Sequence, residues 1–232
     1  MSVSLLATRP QLSPGLDGEA DWVHADWVHA DGAGVQLAGM MLTGGASRRM
    51  GRPKANLRIG ETTLSVRTAR ALEAVADPVV EVGPGYTDLP AARDTLDAGG
   101  PLAATATGAA WLAGHGWSGP ALVVATDLPR LTGSLLAWLA AHPAPGSVVL
   151  LDRAGRPQPL CARYHPGDLT TAEILVASGR RAMQDLLDAA DSLTYVAAGE
   201  WMGATGDPDA LIDVDTPAEL AAAGLGQPGE PG

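Results

Sequence analysis

Apolar runs of strand length alternate with helix-period stretches along most of this chain. Residues 35–42 form a short apolar run that stops at Gly44-Gly45, the pattern of a buried strand feeding a loop. Thr62 or Thr63 then caps a helix whose Leu64, Ala71, Leu72 and Val75 share a face. Residues 78–82 predict a second strand and 103–112 a helix. A third, wholly apolar strand over 121–125 ends at Thr126-Asp127. Thr132 opens a helix with Leu135, Leu136 and Leu139 inward. Residues 147–151 and 159–164 read as strands, 168–177 and 181–189 as helices, and 193–197 and 211–214 as short strands. Thr216-Pro217 opens a last helix with proline in its first turn. Such alternation implies an α/β domain, a three-layer, doubly wound, mostly parallel sheet covered on both faces. Ligands of these sheets bind outside the carboxyl ends of the strands. Gly44 and Asp127 both stand at such ends.

The two ends of the chain break the pattern. Residues 1–33 carry Pro10, Pro14 and a tandem Ala-Asp-Trp-Val-His repeat at 20–24 and 25–29. They read as a disordered N-terminal extension, and residues 224–232 as a disordered tail, leaving one domain at 34–223. The formal charge of −11 repels polyanions, so neither nucleic acid nor an anionic membrane is an expected partner. The single cysteine, Cys161, excludes an internal disulfide and a cysteine metal cluster, and its apolar neighbours predict a small buried residue. No run approaches the roughly 20 apolar residues that span a bilayer. A cytoplasmic monomer is the expectation.

Charge placement narrows the chemistry. Lys54 is the only lysine, against fourteen arginines. It closes the Gly-rich segment 42–54, Leu-Thr-Gly-Gly-Ala-Ser-Arg-Arg-Met-Gly-Arg-Pro-Lys, where Arg48, Arg49 and Arg52 form the densest basic cluster of the chain. A compact ammonium beside a loop of free backbone N–H groups suits polyphosphate, whereas a wide guanidinium fork suits other geometries. The segment is neither a Walker loop nor a dinucleotide fingerprint, because Gly-Lys-Ser/Thr and Gly-x-Gly-x-x-Gly are both absent. Asp127 at the end of an apolar strand fits a divalent-cation ligand beside a triphosphate; taken alone, an Asx-turn or helix cap before Pro129 is the commoner explanation. Asp213 and Asp215 either complete a metal shell, orient a substrate, or cap the last helix.

Five motifs in order make the region from about residue 37 to 220 resemble the molybdenum cofactor guanylyltransferases, a branch of the nucleotidyltransferases with a Rossmann-like fold. They are Leu42-Thr43-Gly44-Gly45 through Arg49-Met50-Gly51 to Lys54; Gly100-Pro101-Leu102 after Asp94; Asp127-Leu128-Pro129; Gly179-Arg180-Arg181-Ala182-Met183; and Asp213-Val214-Asp215-Thr216-Pro217-Ala218-Glu219-Leu220. The resemblance implies transfer of GMP from GTP to the phosphate of molybdopterin cofactor, with release of pyrophosphate. It places Leu42, Thr43, Gly44, Gly45, Asp94, Gly100, Pro101 and Leu102 around the nucleotide. Lys54 and Arg49 would meet its phosphates, Asp127 would hold Mg²⁺ (or Mn²⁺), and Arg180, Arg181, Asp213 and Asp215 would face the acceptor. Transient contacts with other cofactor-assembly proteins also follow from it. Three departures stand out: Thr43 where relatives carry Ala, Gly83 at a loop Asn that binds guanosine, and Asp-x-Asp for the closing Asn-x-Asn. Gly45 favours guanine, while the aspartates resemble cytidylyltransferase relatives. CTP as donor, another small phosphorylated acceptor, and a non-catalytic nucleotide-binding homologue are the alternatives.

Overall fold

A computed structural model describes residues 36–44, 53–93, 99–214, 219 and 225 of the chain. The expected N-terminal extension, the C-terminal tail and the helix opening at Thr216-Pro217 lie outside the described residues. Strand β1 (Ala38–Leu42) is buried along its whole length. A single 3-10 turn (Lys54–Asn56) and a two-strand ribbon, β2 (Arg58–Ile59) and β3 (Thr62–Thr63), lead into α1 (Leu64–Glu73). Of the two candidate caps it is Thr63 that closes α1, its side chain accepting from Val66 N at 3.3 Å. Then come β4 (Val79–Val82), β5 (Ala91–Ala92), α2 (Gly100–Gly114), β6 (Ala121–Ala125), α3 (Gly133–Ala140), β7 (Ser147–Leu151), β8 (Pro157–Tyr164), α4 (Pro166–Ala177), α5 (Met183–Ala189), β9 (Leu193–Val196) and α6 (Ala198–Thr205).

The main sheet has seven strands in the order β5-β4-β1-β6-β8-β7-β9. All neighbours pair in parallel except β8, which is antiparallel to both β6 and β7. A mostly parallel sheet needs helices on both sides, and the alternation of side chains supplies the apolar faces they cover. Met41 faces Leu72, Leu135, Leu136 and Leu139 in the layer of α1, α3 and α6, whereas Met40 faces Leu102, Leu112 and Leu186 in the layer of α2, α4 and α5. This is the expected three-layer arrangement. One predicted element is not formed, since residues 211–214 are not a strand, while the β2–β3 ribbon, β5 and α6 were not predicted. Leu211 and Val214 are buried, and Val214 N donates to Asp127 O at 3.0 Å, but that single bond lies past the end of β6.

Candidate active site

Chain order reverses direction at β1. From β1 the chain builds outward to β4 and β5, then returns to lay β6 on the other side of β1. At such a switch point two successive loops diverge and leave a crevice beyond the strand ends. Leu42 pairs with Ala125, so Thr43-Gly44 and Thr126-Asp127 emerge side by side. The Thr126 hydroxyl donates to Leu42 O at 3.5 Å across that junction. Gly44 is exposed, and a Cβ built there would meet nothing closer than Val82 O at 4.0 Å.

Lys54 reaches the same junction from the other side. Its 3-10 turn is closed by Leu57 N donating to Lys54 O at 2.9 Å, which points the next buried side chains, Leu57 and Ile59, inward. They join Leu64 and Val214 in a small apolar cluster apart from the two large ones. Val214 is also the residue bonded to the Asp127 carbonyl, so this cluster ties the lysine turn, the β6 end and the 213 segment together. The outcome is Lys54 Nζ 3.8 Å from Asp127 Oδ2, with the side chains 23% and 32% exposed. An ammonium and a carboxylate separated by 73 positions in sequence thus meet at the predicted strand ends. Asp127 is not the cap of α3; Thr132 takes that role, accepting from Leu135 N at 3.2 Å.

Asp127 and Asp213 line one cleft of about 140 Å³ with Leu128, Gln158, Pro159 and Leu160. The pairing of β7 with β8 slips between Val149 and Leu150, whose partners are Ala162 and Gln158, so Pro159 and Leu160 belong to the irregular stretch. Tyr164 OH holds that stretch by donating to Pro159 O at 2.9 Å. Behind it lies Cys161, fully buried, whose thiol is pushed up to about 12 by burial and further by the negative charge of Asp127. It is the inert small residue expected of it. Among the described residues no three His, Cys, Asp or Glu side chains form a ready cage for a metal. Two carboxylates on one cleft make an oxygen-only donor set, which suits a hard divalent cation whose other ligands come from phosphate or water.

Sequence reasoning passed over Glu81. It sits in β4 with no exposure and accepts from Thr43 Oγ1 at 2.8 Å and from Tyr86 N at 2.7 Å, among other donors. The signal was available, since an acid inside the run Val79-Val80-Glu81-Val82 must find donors or remain in water. Gly83 follows it at φ +151, and a Cβ there would lie 2.2 Å from Thr43 Oγ1. The departures at 43 and 83 are thus one packing unit: the hydroxyl occupies the place of a side chain at 83.

A second group of predicted residues assembles at the start of α2. Gly100 adopts φ +78, and its would-be Cβ lies 3.2 Å from Arg181 O. Pro101 is exposed and Leu102 fully buried. Arg180 and Arg181 are exposed but engaged with the flanking helices: Arg180 Nη1 pairs with Asp185 of α5 at 2.9 Å, and Arg181 Nη1 donates to Val176 O of α4 at 2.9 Å. Because α2 follows a strand parallel to β1, this corner also opens on the carboxyl-end side of the sheet. Gly45, Arg49, Asp94 and Asp215 lie outside the described residues.

Known proteins share this fold and part of this sequence. The family model of the MobA-like NTP transferase domain matches residues 39–193. A probable molybdenum cofactor guanylyltransferase of Mycobacterium tuberculosis is 37% identical over 197 residues, covering 82% of this chain and 91% of that protein. One from Opitutus terrae is 35% identical over 155 residues, covering 61% and 72%. The crystal structure of molybdopterin-guanine dinucleotide biosynthesis protein A from Archaeoglobus fulgidus superposes with a TM-score of 0.66 at 18% identity, covering 81% and 96%.

Proposed function

The chain belongs to the MobA-like NTP transferase family, and from that premise we propose that it transfers GMP from GTP to the terminal phosphate of molybdopterin cofactor. A phosphate oxygen of the acceptor attacks the α-phosphorus of GTP. The bond from that phosphorus to the bridging oxygen of the β-phosphate breaks, and pyrophosphate leaves with the electron pair. The attacking oxygen is already anionic at neutral pH, so no side chain need remove a proton. What remains for the protein is alignment and charge neutralisation.

The observation that carries this reading is the Lys54–Asp127 pair at the switch point. In it, Lys54 and Arg49 would neutralise the phosphates, the lysine as a compact cation. Thr43, Gly44 and Gly45 approach the nucleotide closely, and Leu42, Asp94 and Gly100 to Leu102 complete its walls. Asp127 would hold the divalent cation, magnesium in this reading, with Asp213 on the same cleft, and Asp213 and Asp215 would face the acceptor. When bound, that ion supplies further neutralisation of the phosphate oxygens. Arg180 and Arg181 would meet the acceptor's phosphate after leaving Asp185 and Val176. The catalytic unit in this reading is residues 34–223, and deletion of 1–33 is expected to leave activity intact.

The test is incubation with Mg²⁺, molybdopterin cofactor and each of the four nucleoside triphosphates, followed by mass analysis of products. Guanine dinucleotide and pyrophosphate are expected with GTP. A cytosine dinucleotide alone would reassign the donor, and no dinucleotide with any triphosphate would overturn the proposal.

A further inference from the structure

One fully buried acid takes no part in the steps above. The Glu81 carboxylate is surrounded by donors from two loops. Oε1 accepts from Thr43 Oγ1 at 2.8 Å, Gly85 N at 3.1 Å and Tyr86 N at 2.7 Å. Oε2 accepts from Thr87 N at 3.0 Å and Thr87 Oγ1 at 2.8 Å. A carboxylate leaves water only when donors replace its hydration, and here they do so completely. The exchange works in both directions. Three consecutive backbone N–H groups, at 85, 86 and 87, take their partner from one side chain in a neighbouring strand. An apolar residue at 81, as the rest of β4 would lead one to expect, leaves all three without that acceptor.

We propose that Glu81 is a positioning residue for the nucleotide. It locks the loop after β4 onto Thr43 in the loop after β1, so that the two walls stand in place before a nucleotide arrives. This rests on the reading that Thr43 and Gly44 meet the nucleotide. Gly83 supports it independently. Thr43 N donates to Val82 O at 3.0 Å, and a Cβ on Gly83 would collide with the same hydroxyl that bonds Glu81. The two loops are therefore joined by backbone, by side-chain bond and by close packing at one point. Walls ordered beforehand spare the ligand the cost of ordering them. Losing Glu81 accordingly weakens nucleotide binding and leaves the saturated rate alone, because the carboxylate touches no reacting atom.

The test uses the full chain and two variants, Glu81→Gln and Thr43→Val. Glutamine matches glutamate in size, but its NH₂ must face either Thr87 N–H or the N–H pair of Gly85 and Tyr86, so at least one bond becomes a donor–donor clash. Both Kd and KM for the triphosphate that wild type binds most tightly are expected to rise about tenfold in Glu81→Gln. The expected kcat stays within about twofold and KM for the acceptor is unchanged. Thr43→Val removes the hydroxyl that joins the two loops, at a position that also faces the nucleotide, and is expected to raise Kd about threefold. Unchanged Kd and KM in Glu81→Gln, or a fall in kcat at constant KM, overturns the proposal. Should Glu81→Gln fail to fold, wild-type Kd in Thr43→Val overturns it instead. A wild-type chain that binds none of the four triphosphates sinks the functional reading along with it, whereas binding by wild type with unaltered variants sinks only the role of Glu81.

Discussion

Replacing Lys54 with methionine removes the ammonium and keeps most of its stem. At 3.8 Å from Asp127, the gross attraction is about 4 kcal/mol in an effective dielectric of roughly 20. Both side chains keep contact with water, 23% and 32% exposed. Hydration and side-chain entropy therefore offset most of that attraction, and exposed pairs of this kind contribute about 1 kcal/mol or less. For a chain of this size that is a fall in Tm of about 2–4 °C. Turnover is a different matter. A preorganised cation aimed at charge that builds up in the transition state is worth about 3–4 kcal/mol, or a loss of roughly 10²–10³-fold in kcat. The two effects differ enough to be separated by measuring Tm by scanning fluorimetry and dinucleotide formation by mass under saturating substrates. Lys54→Arg sharpens the test: charge and stability persist, but the planar fork replaces a compact point charge, and a loss of at least about tenfold is expected. Turnover of Lys54→Met within threefold of wild type would refute the reasoning, as would a fully active Lys54→Arg.

Three further outcomes are expected. Burial holds the Cys161 thiol at about 12, so a thiol reagent at pH 8 should label it only in denaturant; prompt labelling of the native chain would contradict the packing of β8. Burial lowers the pKa of His142, Glu200 opposes this at 3.5 Å, and Arg163 adds to the lowering. The folded imidazole thus stays neutral while the unfolded one takes up a proton below about pH 6.5, and stability falls as pH drops through that window by at most about 1.4 kcal/mol per pH unit; His142→Gln should flatten that part of the Tm profile, and an unchanged slope would count against it. The buried Arg163 guanidinium donates to Ala140 O and His142 O at 2.8 Å each, and also to Ala144 O. Arg163→Met should cost about 3 kcal/mol, or roughly 6–12 °C in Tm, without changing KM; a melting point within a degree or two of wild type would refute it.

Much of the layout was legible in the order of the residues, because burial on a strand or a helix face leaves a period that local sequence must carry. The strands at 121–125 and 147–151, the cap at Thr132 and the inward Leu135, Leu136 and Leu139 stand where the pattern put them. The candidacy of Lys54 and Asp127 came from chemistry, a lone ammonium in a glycine-rich segment and a carboxylate ending an apolar run. Periodicity reports whether a position is covered but not by what. That is why residues 211–214 read as a strand when only Leu211 and Val214 are covered, past the end of one. It is also why Arg180 and Arg181 gave no sign of their bonds to Asp185 and Val176. The 3.8 Å meeting of Lys54 with Asp127 and the gathering of two loops around Glu81 were decided only in three dimensions. Each depends on contacts between segments far apart in the chain, and the strand order that makes them neighbours arises from the packing of the whole sheet.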